Sequence, residues 1–391
     1  MSILTQSAHG LGLDLLDDYR PHQSFYFRSP RHTLLTRGVL ETVPSCNARD
    51  ADTLLGRVRA TLEQAAERHP RPMAVGALPF RDDTPARLTV PETVRWSGSA
   101  APLPAAGASP VSFASVDQVP SPEEYRRAVS AALERLESGH LTKIVLARSV
   151  LLREARGADA RTLLRRLAHN DPDAYVFAVD LLGGRVLLGA SPELLVRRAG
   201  PLVSAHPLAG SAPRRHDPVQ DREAGEALLR SAKDLREHAI VTEAVAAGLR
   251  PLCRELTVPE APSLVKTATM WHLGTRITGR LDSPETSSLH LALALHPTPA
   301  VCGTPRLPAR DAIARIENLD RGFYSGAVGW CDASGDGEWA VTIRCAEVAP
   351  SEIRLFAGAG IVPGSDPDGE LAETSAKLQT LLRVLGVDRD L

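Results

Sequence analysis

The sequence predicts a chain of mixed α and β structure, and three observations carry that prediction. Two stretches open as helices with a capping residue and then proline, Ser121-Pro122-Glu123-Glu124 and Asp366-Pro367; proline suits the first turn because the N–H it lacks would have no partner there. Residues 141–152 (LTKIVLARSVLL) form an apolar, β-branched run of strand type. Residues 175–182 and 185–190 are two more such runs, joined by Gly183-Gly184, a hairpin signal.

Composition narrows the class. The 391 residues are 43% hydrophobic and 24% charged, ordinary for a soluble globular protein with a large core. The net charge of −2 offers no basic surface for nucleic acid. The cysteines are Cys46, Cys253, Cys302, Cys331 and Cys345, odd in number and without CxxC spacing. Neither a disulfide framework nor a zinc site is expected. Asp14, Asp17 and Asp18 interrupt any apolar N-terminal core, so no signal peptide is expected. The longest apolar run, 289–305, holds His296 and three prolines and cannot span a bilayer. The expected compartment is the cytoplasm, with no membrane association.

In chain order, 24–28 and 33–40 read as strands, 52–68 as a helix (Leu54, Leu55, Val58, Leu62, Ala65, Ala66) and 73–79 as a buried strand. Residues 98–110 (GSAAPLPAAGASP) read as a loop inserted in one domain. The helix opened at Ser121 runs to about Ser138 and stops at Gly139; another covers 161–168. Residues 203–214 read as a tight loop with Gly210 and Ser211, and 221–249 as one long helix. Strands follow over 264–280, then a short helix over 288–295 and a rigid loop over 296–305, too rich in proline for a helix. A helix over 309–317 precedes two strands, 322–331 and 338–348, around the turn 332–337. The chain closes with an apolar strand near Leu355 and a helix from Asp366 to about Leu385. The organisation expected is a single domain over 1–391, with a more variable part at 1–115 and a catalytic core at 121–386. There is no internal repeat, GxGxxG, Walker loop or HExxH.

Several polar residues stand out. Glu370, Glu373 and Lys377 share one face of the last helix, opposite Leu371, Leu378, Leu382 and Leu385. Alone they read as first-turn acids suited to the helix dipole plus a solvated lysine. Asp234 and Glu237 repeat the i, i+3 spacing on another helix. Two such pairs could place four carboxylates around one hard cation, for which Mg²⁺ is the natural candidate. Lys143, at the start of an otherwise apolar strand, reads either as a snorkelling surface lysine or as one that needs a carboxylate. Glu193 ends an apolar strand, where it is either a turn residue or a desolvated carboxyl of raised pKa, as a general acid needs. His272 lies within a strand and is either a satisfied core histidine or a site residue. Arg344, in mid-strand, would suit a bidentate carboxylate contact.

Together, KIVLAR (143–148), SPELLVRR (191–198), HPLAGSAPR (206–214), KDLREHAIVTEAV (233–245), WHLGT (271–275), LHPTPAVCGTP (295–305), DRGFYSGAVGWCDASGDGEWAVTIRCAEV (320–348) and GAGIVPGSDPDGELAETSAK (358–377) resemble the chorismate-utilising enzymes. Within them the chain is most similar to the isochorismate synthases of siderophore (2,3-dihydroxybenzoate) pathways, and FYFRSPRHTLLTRG (25–38) resembles that subgroup too. The resemblance implies an α+β fold, two antiparallel β-sheets packed as a sandwich and flanked by helices, with the active site between them. It implies a Mg²⁺-dependent isomerase that converts chorismate to isochorismate. Glu237 and Glu373 match direct magnesium ligands, and Asp234 and Glu370 match acids holding its water shell. Lys143 matches the base that activates water for attack at C2, and Glu193 the acid that protonates the departing C4 hydroxyl. Arg344 and Lys377 match residues binding the carboxylates; Gly210, Ser211, His272, Ala300, Tyr324 and Gly358 fall in motifs lining the pocket.

Relatives that use ammonia look different at the base position, where they carry glutamine; Lys143 points to water and to an enzyme without a glutaminase subunit, expected as a monomer. Salicylate synthases share this lysine and eliminate pyruvate, but tend to have threonine where this chain has Ala300. A salicylate synthase is the alternative activity, and a non-catalytic chorismate-binding homologue the alternative class. The downstream pathway (siderophore, menaquinone or another metabolite) is left open.

Overall fold

A computed structural model describes residues 14–45, 51–98 and 111–387. Its strands pair antiparallel throughout, and they build two large sheets and one small one. In the first large sheet the order runs Gly303–Thr304, Lys143–Arg153, Glu352–Ile361, Cys345–Val348, Val186–Ser191, Tyr175–Asp180, Tyr26–Arg28, Thr33–Arg37, Thr93–Ser97, with Ser115–Val119 also on Lys143–Arg153. In the second it runs Cys253–Thr257, Ile277–Leu281, Leu202–His206, Leu194–Ala199, Gly337–Val341, Ala327–Asp332, Met73–Leu78, Arg87–Val90, Glu41–Thr42. The small sheet is Leu208–Pro213, Met270–Gly274 and Ser263–Lys266.

Side-chain alternation produces the layers. On Tyr175–Asp180, Tyr175, Phe177 and Val179 point into a core shared with Val75, Ala77, Val328 and Ala340 of the second sheet. Val176 and Ala178 point the other way, onto Leu163, Leu167, Leu381 and Leu385 of the helices Ala160–Asn170 and Pro367–Leu385. The second sheet's outer face is covered by Ala51–Ala66, Ala232–Leu249 and Ser288–Leu295, through Leu54, Val58, Val245, Leu249 and Leu291. The result is the α+β sandwich of two antiparallel sheets with helices on both outer faces. The core on the first sheet also joins the two ends of the chain, since Leu15, Leu16 and Tyr26 pack with Leu382 and Leu385.

Caps and turns follow the local chemistry. Ser121 and Glu124 form a reciprocal capping box on Pro122–Glu137, which ends at Ser138 and at Gly139 in the left-handed region. Asp366 caps Pro367–Leu385 by accepting from Gly369 N. The loop expected over 98–110 lies, from residue 99 on, outside the described residues.

Three expectations are corrected. Residues 221–249 are not one helix: Ser231, with ψ 109°, breaks them into Pro218–Arg230 and Ala232–Leu249 and caps the second by accepting from Asp234 N. The S-x-x-D sequence that starts a helix there was overlooked because apolar spacing continues across it. Residues 203–214 are two strands rather than a loop; Gly210, at φ 75°, sits in an irregularity of the second, between Ala209 and Ser211. The stretch 338–348 is likewise two strands in two sheets, Gly337–Val341 and Cys345–Val348. Arg344 is therefore not in mid-strand. It lies in the connection, at φ 50°.

Candidate active site

Two passages of the chain from one sheet to the other run side by side. Val186–Ser191 belongs to the first sheet and Leu194–Ala199 to the second, so Pro192 and Glu193 form the link. Thr342, Ile343 and Arg344 link Gly337–Val341 back to Cys345–Val348. The links clamp each other: Ala190 N donates to Arg344 O at 3.1 Å, and Val341 N donates to Glu193 O at 3.1 Å. This brings Glu193 and Arg344 onto adjoining links, close enough for each charge to act on the other.

Burial dominates Glu193, which is 2% exposed. Leu208 N donates to its Oε1 at 3.5 Å. Loss of solvent raises its pKa to about 8, although Leu208 N–H and the charges of Lys143, Arg344 and Lys377 all pull the other way. At neutral pH Glu193 therefore holds its proton. Burial also pushes Arg344 below the usual guanidinium range, against the influence of Tyr324, Glu373, Glu193 and Asp171.

Lys143 is the first residue of Lys143–Arg153 and is fully buried. Its Nζ stands 2.8 Å from Glu237 Oε1, but without hydrogen-bond alignment, so Nζ has no hydrogen-bond partner among the described residues. Gly360, on the neighbouring strand opposite Val145, makes room for this pair. A Cβ there would collide with Glu237 Oε1 and come 3.0 Å from Lys143 Cε. On the other face of the strand, Arg148 donates to Thr374 Oγ1 at 2.8 Å, Gln118 Oε1 at 2.6 Å and Ser375 Oγ at 2.5 Å.

The acids come from the N-terminal turns of two helices, and each faces a lysine or a hydroxyl. Glu373 Oε1 is 2.5 Å from Lys377 Nζ and accepts from Ser211 Oγ at 3.0 Å. Burial opposes its ionisation, but Lys377 and Ser211 outweigh that and hold it below the ordinary range. Glu370, 2% exposed, pairs with Lys233 at 2.9 Å; the Ser365 hydroxyl lies near enough to stabilise its charged form, but its Oε2 has no aligned hydrogen-bond partner among the described residues. Burial and the charge of Glu373 raise its pKa. Asp234 accepts from Ser231 Oγ and is raised by burial, with Glu237 and Glu373 adding to it.

Four carboxylates thus act on one another electrostatically, with Lys143, Lys233 and Lys377 as counter-charges. Among the described residues no three acid, histidine or cysteine side chains are drawn together as a finished metal centre. The donor set nonetheless fits a hard cation that keeps several of its waters: every donor is a carboxylate oxygen, one is an orphaned buried atom, and two acids bear mutual repulsion.

The remaining predicted residues surround this centre. Lys377 Nζ also donates to Gly358 O at 2.9 Å. A Cβ on Gly358 would lie 2.9 Å from the Tyr324 hydroxyl, and Tyr324 stacks on Phe356 with 5.0 Å between ring centroids. A Cβ on the Gly210 position meets Asp234 Cβ at 3.0 Å. His272 is buried with Nε2 unpartnered; burial and the charges of Arg344 and Lys377 keep it neutral. Ala300 is half-buried, and its loop reaches the base strand where Gly303 pairs with Ile144. Sequence reasoning missed Lys233, Gly360 and Asp171, a half-buried acid, raised to about 6 by desolvation and by Asp173, that also feels Arg344. Lys233 adjoins Asp234 in sequence and could have been noticed; Gly360 and Asp171 gain meaning only across the fold.

Comparison with known proteins agrees with this geometry. A family described as "Chorismate binding enzyme" matches residues 96–386. The chain is 51% identical to isochorismate synthase DhbC of Bacillus subtilis, over 96% of each protein. It is 41% identical to isochorismate synthase EntC of Escherichia coli K12, over 93% of this chain and 95% of that one. The crystal structure of a 2,3-dihydroxybenzoate-specific isochorismate synthase, DhbC, from Bacillus anthracis superposes with a TM-score of 0.90 at 47% identity, covering 96% of this chain and 99% of the other.

Proposed function

The chain belongs to the chorismate-binding enzymes and, within them, to the isochorismate synthases, and from that premise we propose how its own residues turn chorismate into isochorismate. The enzyme is an isomerase acting on a small dianion; the salicylate synthase alternative is not favoured. The names of the relatives support a 2,3-dihydroxybenzoate, siderophore-type role.

Isomerisation adds water at C2 of the ring, shifts the double bonds and releases the C4 hydroxyl as water, so one water enters and one leaves. Lys143 takes the proton of the attacking water, and Glu193 gives its proton to the departing hydroxyl. The observation that carries this reading is the opposed environment of the two groups. Glu193 is kept protonated to about pH 8 by burial, as a general acid must be. Lys143 is also buried, and its Nζ makes no hydrogen bond among the described residues, which leaves the nitrogen open to the attacking water when it acts as the neutral amine. Arg344 and Lys377 bind the two carboxylates and orient the ring, with Tyr324, Gly358, Gly210, Ser211, His272 and Ala300 shaping the pocket.

Glu237 and Glu373 would hold Mg²⁺ directly, and Asp234 and Glu370 through water. The cation would supply positive charge that offsets the substrate's carboxylates and fixes their place. Lysine rather than glutamine at position 143 supports water as nucleophile, and with it an enzyme that needs no glutaminase subunit; a monomer is our reading. Among the described residues no helix is long and apolar enough to cross a membrane; a cytoplasmic enzyme is our reading.

The test is incubation of the purified protein with chorismate and Mg²⁺, followed by chromatography. A stationary mixture of chorismate and isochorismate without pyruvate is expected. Stoichiometric salicylate and pyruvate would overturn the assignment, as would no conversion at all.

A further inference from the structure

The strand that carries Lys143 has a gap along its outer edge. Ser115–Val119 pairs with residues 149–153, and Gly303–Thr304 pairs with Lys143 and Ile144. Between them no strand among the described residues covers residues 145–148 on that side, and Glu352–Ile361 lies along the opposite edge. Val145 N finds Cys302 O at 2.8 Å. The next two groups on this edge are satisfied by side chains: Val145 O accepts from Arg321 at 2.8 Å, and Ala147 N donates to Glu317 Oε2 at 2.8 Å.

Glu317 and Arg321 are themselves a bidentate pair. Arg321 Nε and a terminal nitrogen reach the two Glu317 oxygens at 2.7 Å each, and both side chains are 2% exposed. The other terminal nitrogen donates to Val301 O at 2.8 Å, next to Ala300. The guanidinium lies 4.3 Å from the Phe80 ring centroid, and Arg321 O accepts from Tyr324 N at 2.8 Å. One buried unit is therefore bonded to the base strand, to the loop carrying Ala300 and to the turn carrying Tyr324. Buried ion pairs are weak sources of net stability, because desolvation offsets their attraction; a rigid fork bonded to several backbone groups defines geometry instead.

We propose that Glu317 and Arg321 are positioning residues for the isomerisation: standing in for the missing strand, they hold 143–153 and 296–305 in fixed relation and so set where Lys143 meets the water. The inference rests on the reading of Lys143 as base. Among the described residues no hydrogen bond or ion pair joins either side chain to Arg344 or Lys377, so substrate binding through those two groups should be spared.

The test is steady-state kinetics of Arg321→Lys and Glu317→Gln beside Lys143→Ala, each corrected for folded fraction by circular dichroism and thermal melting. Lysine keeps the charge but cannot bridge Glu317, Val145 and Val301 at once. Arg321→Lys should lower kcat on the order of 100-fold with KM within about twofold, the size expected when a reacting group is displaced by about 1 Å. Glu317→Gln, whose amide oxygen can still accept from Ala147 N, should lower kcat less. A folded Arg321→Lys enzyme with normal kcat would overturn the proposal, as would a loss no larger than the loss of folded protein. If Arg321→Lys does not fold, Glu317→Gln decides, and wild-type kcat there overturns it. An inactive Lys143→Ala with a normal Arg321→Lys refutes positioning alone. An active Lys143→Ala with a slow Arg321→Lys refutes the base and leaves the pair acting through the Ala300 loop.

Discussion

Lys143 Nζ and Glu237 Oε1 stand 2.8 Å apart, with the lysine wholly buried. The contact joins the proposed base to a proposed magnesium ligand, and it makes the electrostatics of both depend on what occupies the acid cluster. Three of the four carboxylates pair with lysines, Glu237 with Lys143, Glu370 with Lys233 and Glu373 with Lys377, while Asp234 accepts from Ser231 Oγ.

Removal of divalent metal should therefore stop turnover. Dialysis against EDTA is expected to abolish isochorismate formation, and added Mg²⁺ to restore it. Glu237→Ala should lose both activity and calorimetric Mg²⁺ binding. Full activity in EDTA would sink the metal assignment.

The pH dependence follows from Glu193. Its pKa is about 8 because burial penalises the charged form. A general acid works only while protonated, so activity through this group is present below pH 8 and lost as pH rises through it. The pH profile of kcat/KM should fall with a midpoint near 8. Glu193→Gln has no proton to give and should lower kcat by about 10²–10⁴ while the fold, judged by circular dichroism, is retained. A flat profile from pH 7 to 9 would remove Glu193 from the mechanism.

Gly360 supplies a steric test. Its Cβ-free backbone faces Glu237 Oε1 and Lys143 Cε. Gly360→Ala must push one of them away, and a shift of about 1 Å at a reacting group costs on the order of 100-fold. Activity should fall by that order while the protein stays folded. An unaffected variant would show that the Lys143–Glu237 geometry does not matter to turnover.

Product identity should track Ala300. Wild-type enzyme is expected to release no pyruvate, while Ala300→Thr, which introduces the residue usual in salicylate synthases, should release it at a rate measurable with coupled lactate dehydrogenase. Unchanged isochorismate as sole product would remove Ala300 as a determinant.

Much of the local structure was legible in the residues. The starts at Ser121-Pro122 and Asp366-Pro367, the hairpin around Gly183-Gly184 and the i, i+3 acid pairs depend on neighbours a few positions apart, and all recur in the fold. The break at Ser231 was equally local but was masked by continuous apolar spacing. The strand over 338–348 failed for another reason: alternation states which face a residue takes, not which sheet a strand joins.

What the sequence by itself determined is thus the inventory: a lysine on an apolar strand, a glutamate after another, two acid pairs on helices, and motifs ordered as in the chorismate-utilising enzymes. Folding alone sets the links of Glu193 and Arg344 side by side, since adjacent sheet crossings bring together links about 150 residues apart by antiparallel pairing of their flanking strands. The burial that raises Glu193 to about 8 is likewise a property of the closed sandwich, because desolvation depends on every layer that excludes water from the carboxyl group.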